Sequence, residues 1–278
     1  MLSAIHLRLN PRGLATLAAL AGFIPLSALA QITGTGTTPA YTSAGIVNAA
    51  TETAEALAPN TLATIYGTNL AYSTVAVAAS DIVGGKMPTS LGGVGVWVNS
   101  IPCSLFFVSP TQINFLVPYQ FTAGTVSLII ARDGQAGPVV SLQLTSTSPG
   151  LFLWNGWAIA VHLNGAVISS SSPAVPGEII VIYAGGLGRT SPDTVGGELA
   201  TAAFPIYYLS QLKVLFNGTP CPPGCVLYAG LTPGFAGLYQ INVALPANLP
   251  VNPQILVVVG QQASLPLLLA VQPPQAAN

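Results

Sequence analysis

The sequence predicts an all-β protein made of two tandem β-sandwich domains. Three observations carry this. Short runs rich in Val, Ile, Leu, Tyr and Phe alternate with turn signals along most of the chain. No capped helical stretch competes with them. And three sequence blocks occur twice, in the same order.

The blocks set the two copies in register. APNTLATIYGTNL (58–70) resembles VPGEIIVIYAGGL (175–187) at an offset of 117 residues. VWVNSIPC (96–103) resembles VLFNGTPC (214–221) at 118, and QINFLVP (112–118) resembles QINVALP (240–246) at 128. The offset grows because the second copy inserts residues around PPGC and GLTPGFAG. The domains are expected at 44–147 and 148–272, with the boundary in the turn-rich stretch 146–150 and a tail at 273–278.

Each element follows from local chemistry. In QINFLVP, Ile113, Phe115 and Val117 share one strand face by the period of two, and Gln112 and Asn114 share the other. The proline ends the ladder. The amides are expected beside a sheet edge, bonding loop backbone. Asn164-Gly165, between WAIAVHL and AVISS, is a two-residue hairpin signal. Asp133-Gly134 is read as part of a longer loop. Trp97, inside GVWVN, is expected in the core.

The ends read differently. Residues 1–30 carry Arg8 and Arg12, an apolar run from Leu14 to Leu29, and Ala28-Leu29-Ala30 before Gln31. This is the pattern of a secretory signal peptide, and the run is short of the ~20 residues that span a bilayer. Residues 31–43 read as a linker. Localisation is expected to be secreted, extracellular or at the cell surface, with the periplasm a further compartment; no membrane span is expected after cleavage.

Composition narrows the function. Only 5% of residues are charged, against roughly 25% in ordinary soluble domains. Beyond residue 30, four basic side chains face seven acidic ones. No basic patch can neutralise phosphates, which excludes nucleic acid as a partner. Low charge favours self-association or adherence to a surface.

Few residues could carry chemistry. His162 is the one histidine after residue 30, so no two-histidine metal site can form. No G-x-S-x-G elbow is present, and His162 is read as a half-buried strand residue. Cys221 and Cys225 can close a local disulfide, leaving Cys103 free; three thiols or a bridge from Cys103 are the alternatives. Asp193 and Glu198 are read as solvated loop charges, and Gly185-Gly186-Leu187-Gly188 as a β-turn, not a phosphate cradle. No catalytic residue, metal or cofactor is expected.

Aromatics are the candidate ligand contacts. Trp154 and Trp157 bracket Asn155-Gly156, and Tyr207 and Tyr208 are adjacent, so on a strand one should face outward. Exposed rings offer flat faces to sugars or a protein partner. For the two tryptophans, packing between the domains is the favoured reading.

Several blocks also resemble a known family. GIVNAA (45–50), IYGTNLA (65–71), MPTSLGGVGVWVN, SPTQINFLVP, SPGLF, IVIYAGGLG and LTPGFAGLYQINVALP stand in the order of the uncharacterised acidobacterial Solibacter-type C-terminal domain, found at the ends of secreted proteins. The resemblance covers roughly residues 44–271. Its halves resemble immunoglobulin-like folds of the IPT/TIG kind, which implies immunoglobulin-like sandwiches. It implies no catalytic residues. That family's domain usually follows larger modules; here a leader and linker precede it, so this copy is expected to act on its own. The resulting expectation is a non-catalytic module for adhesion or for surface or matrix assembly. Its partner would be an extracellular protein, a polysaccharide or a second copy. A carbohydrate-binding module is the runner-up, and a hydrolase with an unrecognised site comes third.

Overall fold

A computed structural model describes residues 38–273. The leader assigned to 1–30, linker residues 31–37 and tail residues 274–278 lie outside the described residues. The linker ends earlier than the sequence suggests. Ala40–Asn48 is a strand, and Tyr41 is buried in the first core. Its hydroxyl donates to the Pro138 carbonyl at 2.5 Å and accepts the Ile130 N–H at 2.8 Å. One aromatic among small polar residues thus anchors a segment that lacks hydrophobic periodicity.

The chain forms two tandem immunoglobulin-like β-sandwiches. In the first, one sheet runs in the order Ala40–Asn48, Leu62–Thr68, Gln112–Leu116, Ser104–Val108, Val75–Ala76. The facing sheet runs Val140–Leu144, Gly124–Arg132, Val94–Val98, Ile101–Pro102. In the second, one sheet runs Gly150–Leu151, Ile179–Gly185, Tyr239–Ala244, Val226–Leu231, with Ala160–His162 also paired to Ile179–Gly185. Its partner sheet runs Leu153–Trp154, Trp157–Ala158, Leu267–Leu268, Gln254–Val259, Leu212–Phe216, Thr219–Pro220. Alternation drives each core: Ile113, Phe115 and Val117 are buried in the first, and Tyr239, Ile241 and Val243 in the second. The chain passes between cores from Leu144 to Leu151.

The repeat is exact in register. Tyr66 lies opposite Gln112 and Thr64 opposite Asn114; 117 and 128 residues later, Tyr183 lies opposite Gln240 and Val181 opposite Asn242. The QIN strand is interior to its sheet in both copies, so its amides do not guard an edge. Gln112 Nε2 donates to Asn114 Oδ1 at 2.9 Å, and Gln240 Nε2 to Asn242 Oδ1 at 3.0 Å. The two amides satisfy each other along the strand, two residues apart on one face.

Two other readings change. Asp133-Gly134 is a tight two-residue turn, since Arg132 pairs with Gln135 and both turn residues have positive φ. Trp97 is not core. Val94, Val96 and Val98 take the inward positions, and Trp97 lies half-buried on the outer face with its ring over Gly95.

The sandwiches are docked on each other. Phe235 and Leu238 of the second pack with Leu62 of the first. Ala236 and Leu199 pack with Met87, Leu116 and Phe106. Phe235 and Ala236 belong to the inserted GLTPGFAG stretch, and Leu238 directly follows it. Gly237, at φ +70°, sits so close that a Cβ would fall 2.2 Å from Leu116 Cδ1. Backbone also crosses: Met87 N–H donates to the Gly197 carbonyl at 2.9 Å and Leu199 N–H to the Gly85 carbonyl at 2.8 Å. Lys86 and Glu198 form an ion pair beside them at 3.3 Å. Glu198, read as a solvated loop charge, is therefore partnered across the interface.

Candidate functional site

A cleft of about 520 Å³ opens between the sandwiches. Pro59, Phe121 and Thr122 of the first line it on one side, with Ser146 of the connecting segment. Residues 189–193 with Tyr207 and Tyr208 form the other wall.

That second wall is a pair of segments laced together. Tyr207 N–H donates to the Arg189 carbonyl and Ser191 N–H to the Pro205 carbonyl, both at 2.8 Å. Thr190 Oγ1 donates to the Pro192 carbonyl at 2.8 Å, closing the bend. Arg189 then reaches Asp193 four residues on. Its Nε donates to Oδ1 at 3.0 Å, and Nη2 donates to Oδ2. This two-point pairing fixes the plane of the guanidinium, and those hydrogen bonds raise the Arg189 pKa above its usual value. Asp193 is thus ion-paired, not simply solvated.

Tyr207 and Tyr208 are not on a strand; they form the turn before the short 3₁₀ turn Leu209–Gln211. Their rings meet edge to face at 5.0 Å. Tyr208 packs against the second core, while Tyr207 is 64% exposed. One ring anchors and the other is presented. An exposed ring beside a fixed guanidinium–carboxylate pair offers an apolar face, donors and acceptors within one concavity.

Trp154 and Trp157 lie elsewhere. They face each other across the hairpin Leu153–Trp154 and Trp157–Ala158. Trp157 packs on the second core and Trp154 is half exposed. Trp157 thus packs within the second sandwich rather than between the two. That place is taken by their neighbours Phe152 and Ile159, which project from the chain where it belongs to the other sheet. The structure therefore separates the four candidate aromatics into a cleft pair and a hairpin pair.

Cys221 and Cys225 are disulfide-bonded, with Cα atoms 6.2 Å apart. Cys103, at the equivalent of Cys221, is a buried free thiol whose pKa is pushed up to about 12 by desolvation. Among the described residues no three His, Cys, Asp or Glu side chains gather into a metal site. Nor is any helix among them long and apolar enough to cross a membrane.

Sequence reasoning missed one cluster. His162 is half-buried on its strand, but Ser172 and Glu178 converge on its ring. Spacings of 10 and 16 residues across a hairpin and a loop give no motif, so only the fold brings them together.

The family comparison agrees with the architecture of the first sandwich. Residues 52–150 match the IPT/TIG domain family model. No curated protein matches the chain. Among solved structures, the SGBP-B protein of the Bacteroides ovatus mixed-linkage glucan utilization locus, in complex with a mixed-linkage heptasaccharide, is similar at 10% identity and TM-score 0.30. The match covers 78% of this chain and 42% of that one, so this chain spans less than half of that relative. The plexin A4 extracellular region is similar at 14% identity and TM-score 0.27, over 91% of this chain and 17% of that one. Domains 5–6 of the S-layer protein SbsC match at 8% identity and TM-score 0.27, over 85% of this chain and 100% of that one. At such scores the ligands of these proteins do not transfer. The first sandwich matches the IPT/TIG family model, and the chain as a whole is a tandem of immunoglobulin-like β-sandwiches.

Proposed function

We propose that this chain is an extracellular adhesion module that grips a polysaccharide, without reacting with it, in the cleft between its sandwiches. The resemblance to the Solibacter-type domain of secreted proteins belongs to the same reading. The observation that carries it is Tyr207, 64% exposed and set beside the Arg189–Asp193 pair in a concavity walled by both sandwiches. A pyranose ring has an apolar C–H face that stacks on an aromatic ring. Its hydroxyls suit a carboxylate that accepts and a guanidinium that donates. With few charges nearby, a neutral chain is favoured over a polyanion.

The test is a pull-down and titration of the purified chain against a panel of soluble and insoluble neutral polysaccharides. Saturable binding to at least one is expected. Tyr207→Ala should weaken it about tenfold, the equivalent of ~1.4 kcal/mol. Trp154→Ala should leave it unchanged. Loss on Trp154→Ala with retention on Tyr207→Ala would move the ligand to the hairpin.

A second reading, assembly with a protein or a second copy, is favoured by the hairpin itself. Trp154 and Leu268 are exposed on one sheet face, joined through Trp157 by the strand pairing. Light scattering over a concentration series separates the two. A defined oligomer dispersed by Trp154→Ala, without glycan binding, would favour assembly.

A further inference from the structure

Ser172, His162 and Glu178 form a line of hydrogen bonds on the second sandwich, among none of the cleft residues. His162 ends the strand Ala160–His162, and Glu178 immediately precedes Ile179–Gly185. Ser172 closes a turn held by reciprocal Ser169–Ser172 backbone bonds of 3.0 and 3.1 Å. His162 Nδ1 lies 2.5 Å from Glu178 Oε1, and Nε2 lies 3.2 Å from Ser172 Oγ. Glu178 Oε2 accepts the Val175 N–H at 2.9 Å, which fixes the carboxylate.

The order of these atoms has chemical meaning. A carboxylate on Nδ1 selects the tautomer with its proton there. The Nε2 lone pair is then left to accept the Ser172 hydroxyl proton. Carboxylate, imidazole and hydroxyl in this sequence are the parts of an activated serine. A further feature suits it. The Ser172 carbonyl lies 3.2 Å from Nε2 and can accept from the imidazolium once the ring has taken a proton. The ring and the carboxylate side chains are 16% and 23% exposed, Ser172 is half-buried, and Ser170 and Ser171 beside them are exposed. A small reagent can reach the site.

We propose that Ser172 is an activated nucleophile that accepts an acyl group from a small activated ester. Oγ attacks the ester carbonyl carbon, and its proton passes to His162 Nε2. The bond from that carbon to the alcohol oxygen breaks, and the alcohol leaves with the proton returned from Nε2. The products are acyl-Ser172 and the free alcohol. Water, deprotonated by the same nitrogen, then releases the carboxylic acid. The residue after Ser172 is Pro173, which has no N–H to stabilise the oxyanion. Removing one such donor slows acyl transfer by about 10²–10³. Turnover is therefore slow. An activated ester loses its alcohol more readily than acyl-Ser172 loses the serine oxygen, so acylation outruns hydrolysis and the acyl-serine accumulates.

The test mixes the full chain with p-nitrophenyl acetate. A burst of p-nitrophenol near one equivalent is expected, with the acetyl group located on Ser172 by peptide mass spectrometry. Ser172→Ala should remove the burst, and His162→Gln should slow acylation about 10²-fold. Glu178→Gln should slow it less and shift the pH at which the rate rises. Ser170 and Ser171 serve as controls within the same molecule. A fluorophosphonate probe should label Ser172 far ahead of both, a reading that needs no variant to fold. Equal labelling of the three serines, or a burst that survives Ser172→Ala, would overturn the proposal. Polysaccharide binding is independent of either result.

Discussion

Asn48 and His162 hold the same place in the two copies: Asn48 pairs with Ala63, and His162 with Ile180, 117 residues later. Both reach a glutamate, Asn48 to Glu55 at 3.3 Å and His162 to Glu178 at 2.5 Å. Their surroundings differ. Asn48 is fully buried and donates to the Ser148 carbonyl at 3.1 Å, stitching the first sandwich to the segment that enters the second. His162 faces a polar turn and stays in reach of solvent. The repeated residues build the frame, and the unrepeated ones decide whether a corner becomes a joint or a reactive surface.

The same contrast holds on the facing sheets. Arg132 and Val259 occupy equivalent positions, opposite Val94 and Leu212. Val259 is plain core. Arg132 is buried too, but donates to the Asn69 carbonyl at 2.7 Å and lies 3.9 Å from the centre of the Tyr72 ring. Of that clasp, Asn69 stands where the second copy has Gly186, and Tyr72 lies just beyond the repeated block.

Breaking the joint should have the largest effect. Gly186 has φ +68°, and a Cβ there would lie 1.8 Å from the Ser148 carbonyl oxygen. Gly186→Val should destabilise the chain by roughly 3 kcal/mol, combining backbone strain with a clash that cannot relax into side-chain space. Thermal melting checks this. Asn48→Ala should cost about 2 kcal/mol, because it removes the bonds to Ser148, Glu55 and the Ala50 N–H. His162→Ala, the same deletion at the equivalent place, should cost about 1 kcal/mol, because the partners it leaves keep contact with solvent. Equal costs at the two positions, measured by urea unfolding, would dissolve the comparison.

The cysteines sharpen it further. Removing the Cys221–Cys225 bridge with a double alanine variant should cost about 2 kcal/mol, since it frees a small ring in the unfolded chain. Cys103 at the equivalent position should act through pH. The unfolded thiol ionises near the usual 9.0, while burial pushes the folded one up to about 12. Above pH 9 the unfolded state binds fewer protons, so stability should fall as pH rises from about 9 towards 12. Cys103→Ala should flatten that fall in a series of melts. An unchanged slope would assign it to the buried tyrosines, whose pKa values burial also raises.

Much of this fold was legible because it is written twice. The blocks around Ile65 and Ile182, and the two QIN strands, fixed strand identity, facing and order by internal comparison. Where a residue stood outside the repeat, local pattern misled. Tyr41 has no periodic neighbours, yet its hydroxyl ties a strand to the facing sheet. Trp97 is large and apolar, yet alternation puts it outside, where a glycine makes room. Tyr207 could be singled out as an exposed aromatic, but not placed in a cleft, because Phe121 comes to it through the docking of two sandwiches and Arg189 through the pairing of two separated segments of the second. Docking depends on the shape of the GLTPGFAG insertion against Leu62 and Leu116, and shape of that kind leaves no periodic signal.

The central claim is that the two sandwiches behave as one docked unit with the cleft between them. Differential scanning calorimetry of the chain tests it most directly, with Asn48→Ala and Gly186→Val alongside. One cooperative transition is expected for the parent chain, splitting into two in the variants as the joint gives way. Two independent transitions in the parent chain, unmoved by either substitution, would contradict it.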